Sequence, residues 1–162
     1  MAYTVPPGFV AGASLPASSL TILGNDIVDL DARTRPSSAG VATSQTTTST
    51  SYTDLPTVGP AVTLLTGTAA LVIVTAEVDT TGAGIVPRMG FAISGATTVA
   101  ATDVWGIKVD AGAAALLQLS FTVLVQNLTP GTNIFTAKYR VVSGTGTFLN
   151  RGLTVWPANK LS

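Results

Sequence analysis

With no histidine, no cysteine and only eight acidic and eight basic residues, this 162-residue chain has few groups able to do chemistry. Histidine is the usual general base near neutral pH and the commonest metal ligand, and cysteine supplies the reactive thiolate. A Ser-His-Asp triad is therefore excluded, and no serine stands in a Gly-x-Ser-x-Gly elbow. Paired carboxylates are the only hydrolytic arrangement left, and Glu77 and Asp79 share a strand face at a spacing of two. They run into Thr80-Thr81-Gly82, however, where acids at a strand end are ordinarily just solvated. Asp26, Asp29 and Asp31 keep one side of a short helix polar, while Asp103 and Asp110 flank a strand. None of these forms the dense loop of oxygen ligands that calcium prefers. Gly82-Ala83-Gly84 lacks the lysine and the following helix of a phosphate loop. The expectation is a non-enzymatic protein with no catalytic residue, no metal and no cofactor.

What remains suits packing and recognition. Leu20, Leu23, Ile27 and Leu30 follow spacings of three, four and three, an a/d seam on a helix predicted over residues 16–31. Pro16 suits a first helical turn, whereas Gly24 weakens the middle, and a helix this short is marginal alone in water. The seam must pack on a sister helix, on a docking partner or on its own domain. Trp105 and Trp156 are read as buried anchors, in a core or between subunits, in preference to stacking faces for a sugar ligand, because such rings dominate core and interface energetics. Lys138, Arg140 and Arg151 are read as one basic cluster on adjacent strands, either interface charges or partners of acids such as Glu77 and Asp79. Nucleic-acid binding needs far more charge than this.

The elements that must position these residues fall into three regions: an arm and helix over 1–31, a Ser/Thr-rich stretch over 32–51, and a β-domain over 52–162. The second region reads as a linker, although the threonines of 45–51 equally suit a polar edge strand. The third carries predicted strands at 62–65, 69–78, 86–94, 104–109, 114–126, 133–142 and 147–155, separated by Gly- and Pro-containing turns. Strands at such spacing, with no helical period between them, predict an antiparallel β-sandwich or jelly roll. The segment 69–78 is apolar on both faces for part of its length, which suits a central strand or one covered by a neighbouring subunit.

Only 10% of the residues are charged, the net charge is zero and the mean hydropathy is +0.50. So little charge favours association, and the composition implies a surface largely covered by other copies or by a larger assembly. The longest apolar stretch, 113–125, is too short for a membrane helix and alternates with the period of a strand, so membrane insertion is not expected. The N-terminus lacks the basic and apolar regions of a secretory signal, which points to synthesis in a cytoplasm.

Phe9-Val10-Ala11-Gly12-Ala13-Ser14-Leu15-Pro16-Ala17-Ser18-Ser19-Leu20 resembles a leader on small virion proteins of tailed phages. There an aromatic and a glycine precede a Leu-Thr-Ala-x-x-Leu-Asn helix start; here Pro16 replaces the usual Thr and Thr21 the usual Asn. The stretches Phe135-Thr136-Ala137-Lys138-Tyr139-Arg140 and Gly144-Thr145-Gly146-Thr147-Phe148-Leu149-Asn150-Arg151 are similar to the closing strands of the same class, particularly in phages of actinobacteria. The resemblance implies a homotrimeric, jelly-roll-like module on the virion surface with an N-terminal attachment segment and no active site. Expected partners are further copies of the chain and other virion proteins, either major capsid or tail proteins. The favoured expectation is a capsid-decorating or head-fibre protein. The alternative is a minor tail protein whose loops, around Trp105 or at 80–84 and 129–132, touch a host surface glycan.

Overall fold

The computed structural model describes Ser14 and residues 16–158. The predicted attachment arm, residues 1–13, lies outside the described residues. Helix α1 (Ala17–Thr34) starts after Pro16 and is followed by nine strands: β1 (Ser37–Val41), β2 (Gln45–Thr47), β3 (Ala61–Thr66), β4 (Ala69–Thr80), β5 (Pro87–Gly95), β6 (Gly106–Lys108), β7 (Ala115–Gln126), β8 (Gly131–Val141) and β9 (Gly146–Ala158). The predicted strands form, within a few residues at most ends. The exception is the one expected over 104–109, which shortens to Gly106–Lys108 because Asp103 and Val104 form a turn. The Ser/Thr-rich stretch contributes two strands, β1 and β2, both paired with β9.

Two antiparallel sheets face one another. Sheet A has the order β1-β9-β4-β7, with β2 also on β9, and sheet B has the order β3-β8-β5-β6. The pairings nest: β5 with β6, β4 with β7, β3 with β8 and β1 with β9. Successive pairs in that series alternate between the sheets. The chain is thus one long antiparallel hairpin, bent between β5 and β6 and rolled up, which is the jelly-roll arrangement. Strand β4 is central in sheet A, and that position explains why both of its faces carry apolar residues.

The core lies between the sheets, where the alternation of each strand delivers its inward residues. Val72, Val74, Phe91, Phe135, Tyr139 and Phe148 are fully buried there, each such side chain stabilising the fold by roughly 1.5–3 kcal/mol. Phe91 stacks on Trp105, and Tyr139 meets Phe148 edge-on at 5.0 Å. The Tyr139 hydroxyl donates to the Gly59 carbonyl at 2.8 Å, and its burial pushes the phenol up to about 12. Asn133, also fully buried, donates through Nδ2 to Thr66 Oγ1 and the Thr129 carbonyl, while its Oδ1 accepts from the Thr97 amide. That amide fastens the turns after β5 and β7 to β3.

Candidate functional site

Sheet B carries two of the expected cations, Lys138 and Arg140, on its outer face, and they are paired with acids there. Arg88 on β5 stands directly across from Arg140 on β8, an unfavourable juxtaposition unless an anion intervenes. Asp103 supplies it from the segment between β5 and β6. Its carboxylate pairs with Arg88 and accepts from Arg140 Nε at 2.9 Å and from the Tyr52 hydroxyl at 3.0 Å. Arg140 also donates to the Thr50 carbonyl at 3.1 Å and lies over the Tyr52 ring. The Arg140 hydrogen bond holds the Asp103 carboxyl down at about 2, and Asp103 in turn raises the Arg140 guanidinium. Burial, reinforced by Asp103, pushes the Tyr52 phenol up to about 12. Lys138 grips both oxygens of Asp54 at 2.7 and 2.8 Å.

These contacts clasp two loops onto sheet B, one running through Tyr52 and Asp54 and the other through Asp103. Thr53 adds a two-way backbone bridge to Tyr139. Gly90 on β5 lies beneath both loops. A Cβ there would sit 3.2 Å from the Thr102 and Trp105 carbonyls and 3.3 Å from Tyr52 Cε1, so the glycine makes room for the cover.

The basic cluster expected from Lys138, Arg140 and Arg151 does not form. Strands β8 and β9 cross to opposite sheets, so Arg151 belongs to sheet A. The β4–β9 register also shifts between Thr75 and Glu77, where Asn150 adopts φ 47°. This bulge turns Arg151 into the core, 1% exposed, with its guanidinium 5.2 Å from the Tyr139 ring centroid. Its Nη2 donates to Gln45 Oε1 at 2.9 Å and to the Thr43 carbonyl at 3.3 Å, while Nε and Nη1 have no protein partner among the described residues. Arg151 therefore fastens the β1–β2 connection to the core. Neither Glu77 nor Asp79 pairs with Lys138 or Arg140: both acids lie on the outer face of sheet A, where Glu77 accepts from Asn150 at 2.8 Å.

The two tryptophans separate. Trp105 is half-buried, stacked on Phe91 with centroids 5.7 Å apart and planes 13° apart, so one face of its ring is committed to the fold. Trp156 is 52% exposed on the outer face of sheet A. Across the strands it pairs with Leu71, which pairs with Leu124, giving an apolar row over β9, β4 and β7. The helix seam is likewise bare in the single chain. Leu20, Ile27 and Leu30 are 54%, 66% and 61% exposed, and only Leu23 is half-buried. Among the described residues no group of three or more acidic side chains could hold a metal ion, and no helix is long and apolar enough to cross a membrane.

Neither a protein-family model nor a curated protein matches the sequence. Solved structures do match the fold. The chain is similar to the VP2 chain of infectious bursal disease virus in a subviral particle, with a TM-score of 0.56 and 12% identity over 77% of this chain and 33% of that one. VP2 in T=1 particles derived from the same virus matches with a TM-score of 0.54 and 13% identity, over 77% of this chain and 32% of that one. The fold is shared with a viral particle protein. This chain spans about a third of the length of the VP2 chains it matches, and at such low identity the likeness concerns architecture alone.

Proposed function

We propose that this chain is a non-enzymatic structural protein on the surface of a tailed-phage virion, a homotrimeric capsid-decorating or head-fibre protein. Its N-terminal segment attaches to other virion proteins and its jelly roll faces outward. The observation that carries this reading is the helix seam: Leu20, Ile27 and Leu30 stay more than half exposed although the domain beside them has a buried core of its own. An apolar stripe left bare by its own domain is a surface for association. The low charge, the terminal resemblances and the architecture shared with VP2 support the same assignment. The protein is made in the host cytoplasm and assembled from there.

Antibody-labelled electron microscopy of the phage particle tests the location. Label spread over the head is expected; label confined to the tail tip would transfer the protein to the receptor-binding tail class, and unlabelled particles would end the virion reading. Light scattering of the purified chain should give a multiple of three times 16.3 kDa. The double variant Ile27→Asp, Leu30→Asp should abolish that three-fold mass while leaving the β-domain spectrum intact.

A further inference from the structure

Among the described residues, β7 is the end strand of sheet A, paired with β4 on one side and with no strand on the other. Exposed edges of this kind are ordinarily kept short, bulged, charged or interrupted by proline, since their free N–H and C=O groups invite another strand. The other edges are shorter, and β3, which ends sheet B, has six residues that start directly after Pro60. Strand β6 has three residues and carries Lys108, and β1 has five residues with Gly40 among them. Strand β7 does the opposite. It runs for 12 residues in continuous register with β4, with no bulge, no proline and no charged side chain. Its inward face is also incompletely covered: Leu117 is 38% exposed, and Leu119, Phe121 and Val123 are only half-buried.

The order of residues along β7 indicates what covers it. Antiparallel pairing of a strand with its own copy about a two-fold axis brings residue i opposite residue j with a constant sum, and faces are preserved only when that sum is even. Centred on Ser120, Leu116 meets Leu124 of the second copy, Gln118 meets Thr122, and Ser120 meets Ser120, all on the outer face. On the inner face Leu117 meets Val123 and Leu119 meets Phe121. Apolar residues thus face apolar ones and polar residues face polar ones over residues 115–125. Moving the centre by one residue sets Leu116 against Thr122 or Leu124 against Gln118, so the pattern selects one register. No like charges are brought together, because the strand has none.

We propose that β7 is the seam between two copies of this chain, which join antiparallel about a two-fold axis at Ser120 and fuse two A sheets into one continuous sheet. The seam extends the apolar row Trp156–Leu71–Leu124 across the junction through Leu116 of the second copy. It is independent of the helix seam. A two-fold contact of this kind between three-fold units links trimers to one another, which is what a surface lattice requires.

Charge placed on the axis tests the pairing. Ser120 is solvent-exposed in the single chain, so Ser120→Lys and Ser120→Glu should leave thermal unfolding of the separated chain unchanged. Each variant alone sets like charges against each other and should weaken association about tenfold or more. By sedimentation at micromolar concentration, the mass should fall to half that of the wild type or less. An equimolar mixture of the two variants should recover the wild-type mass, because opposite charges then meet at the axis. Hydrogen exchange should show the alternate β7 amides that are not bonded to β4 protected in the wild type and fast in each variant alone. Variants whose mass equals that of the wild type, a mixture that does not recover, or protection in the separated variant of the β7 amides that are not bonded to β4 would each overturn the proposal. The last result would mean that the edge is covered from within the chain. The mass ratio, and not the absolute mass, carries the test, so loss of the helix trimer would leave it readable.

Discussion

The two outer surfaces of the sandwich are built from comparable strands and finished in opposite ways. On sheet B, two facing arginines are bridged by Asp103, a lysine grips Asp54, and two loops lie clasped over the strands. On sheet A, Trp156, Leu71 and Leu124 form an apolar row whose two ends are about half exposed, and β7 ends the sheet without a charge. Sheet B satisfies its outer surface from within the chain, and sheet A leaves apolar side chains of its own half exposed. With so few charged residues in the whole sequence, their distribution matters: three of the eight cations are on the clasped face with acidic partners, and none is on β7.

The sharpest way to break that contrast is to remove the bridge. Asp103→Ala leaves Arg88 and Arg140 facing one another with side chains only 20% and 19% exposed and no anion between them. Stranding partly buried charge is expensive, although the exposure of the site reduces the cost to about 2 kcal/mol. Urea unfolding should show that loss, and protease nicking should become concentrated near residues 99–105. A loss below about 0.5 kcal/mol, the range of ordinary surface substitutions, would mean that the loops are held by backbone contacts alone.

Much of this architecture is legible in the sequence, because strand alternation and turn residues are local signals. The segment 69–78, apolar on both faces for part of its length, reads as a central strand or one covered by a neighbouring subunit, and it is central in sheet A. The bridge over sheet B is not legible, since Asp103, Arg88, Arg140 and Tyr52 lie on four separate segments that only the rolled topology brings together. Arg151 is misplaced by sequence reasoning for a different reason. Counting back from Leu153 and Val155 puts it on the inward face, while counting forward from Phe148 puts it outside, and the bulge at Asn150 reconciles the two. An asparagine at a break in the alternation was the available signal. The helix seam is legible as apolar spacing, but spacing cannot say whether the domain itself covers it.

A matched pair of glycines compares the two surfaces directly, since Gly90 and Gly152 both lie within strands and both face outward. At Gly90 a Cβ meets two backbone carbonyls and the Tyr52 ring, so the covering loops must give way. Gly90→Ala should cost about 1–2 kcal/mol by overpacking, read from the shift in the urea midpoint. At Gly152 a Cβ would clash with the Thr75 hydroxyl, and that β-branched side chain must change its χ1 rotamer to clear it. Gly152→Ala should change stability by no more than about 0.5 kcal/mol in either direction, because the better fit of alanine to a strand offsets the rotamer change. Equal costs at the two positions would mean that sheet A is covered as closely as sheet B.

The response of the clasp to pH is expected to be smaller than the loss of Asp103 itself, and its sign follows from the Asp103 hydrogen bonds. Because the Asp103 carboxyl is held at about 2 in the fold, below its ordinary unfolded value of about 3.9, its contribution to stability is complete above about pH 4. It fades as pH falls from there toward 2, and solvent screening of this partly exposed group limits it to about 1 kcal/mol. The Tyr52 phenol has the opposite sign: raised to about 12 against an ordinary value near 10, it contributes fully below about pH 10 and loses its contribution as pH rises toward 12. A carboxyl-carbon NMR titration should therefore place the Asp103 midpoint near 2, and amides of the two clasped loops should exchange faster below pH 4 while those of β4 and β9 remain protected. A midpoint near 4 would show that the arginines do not hold Asp103 in solution, and the asymmetry between the two surfaces would then rest on the bare edge of sheet A alone.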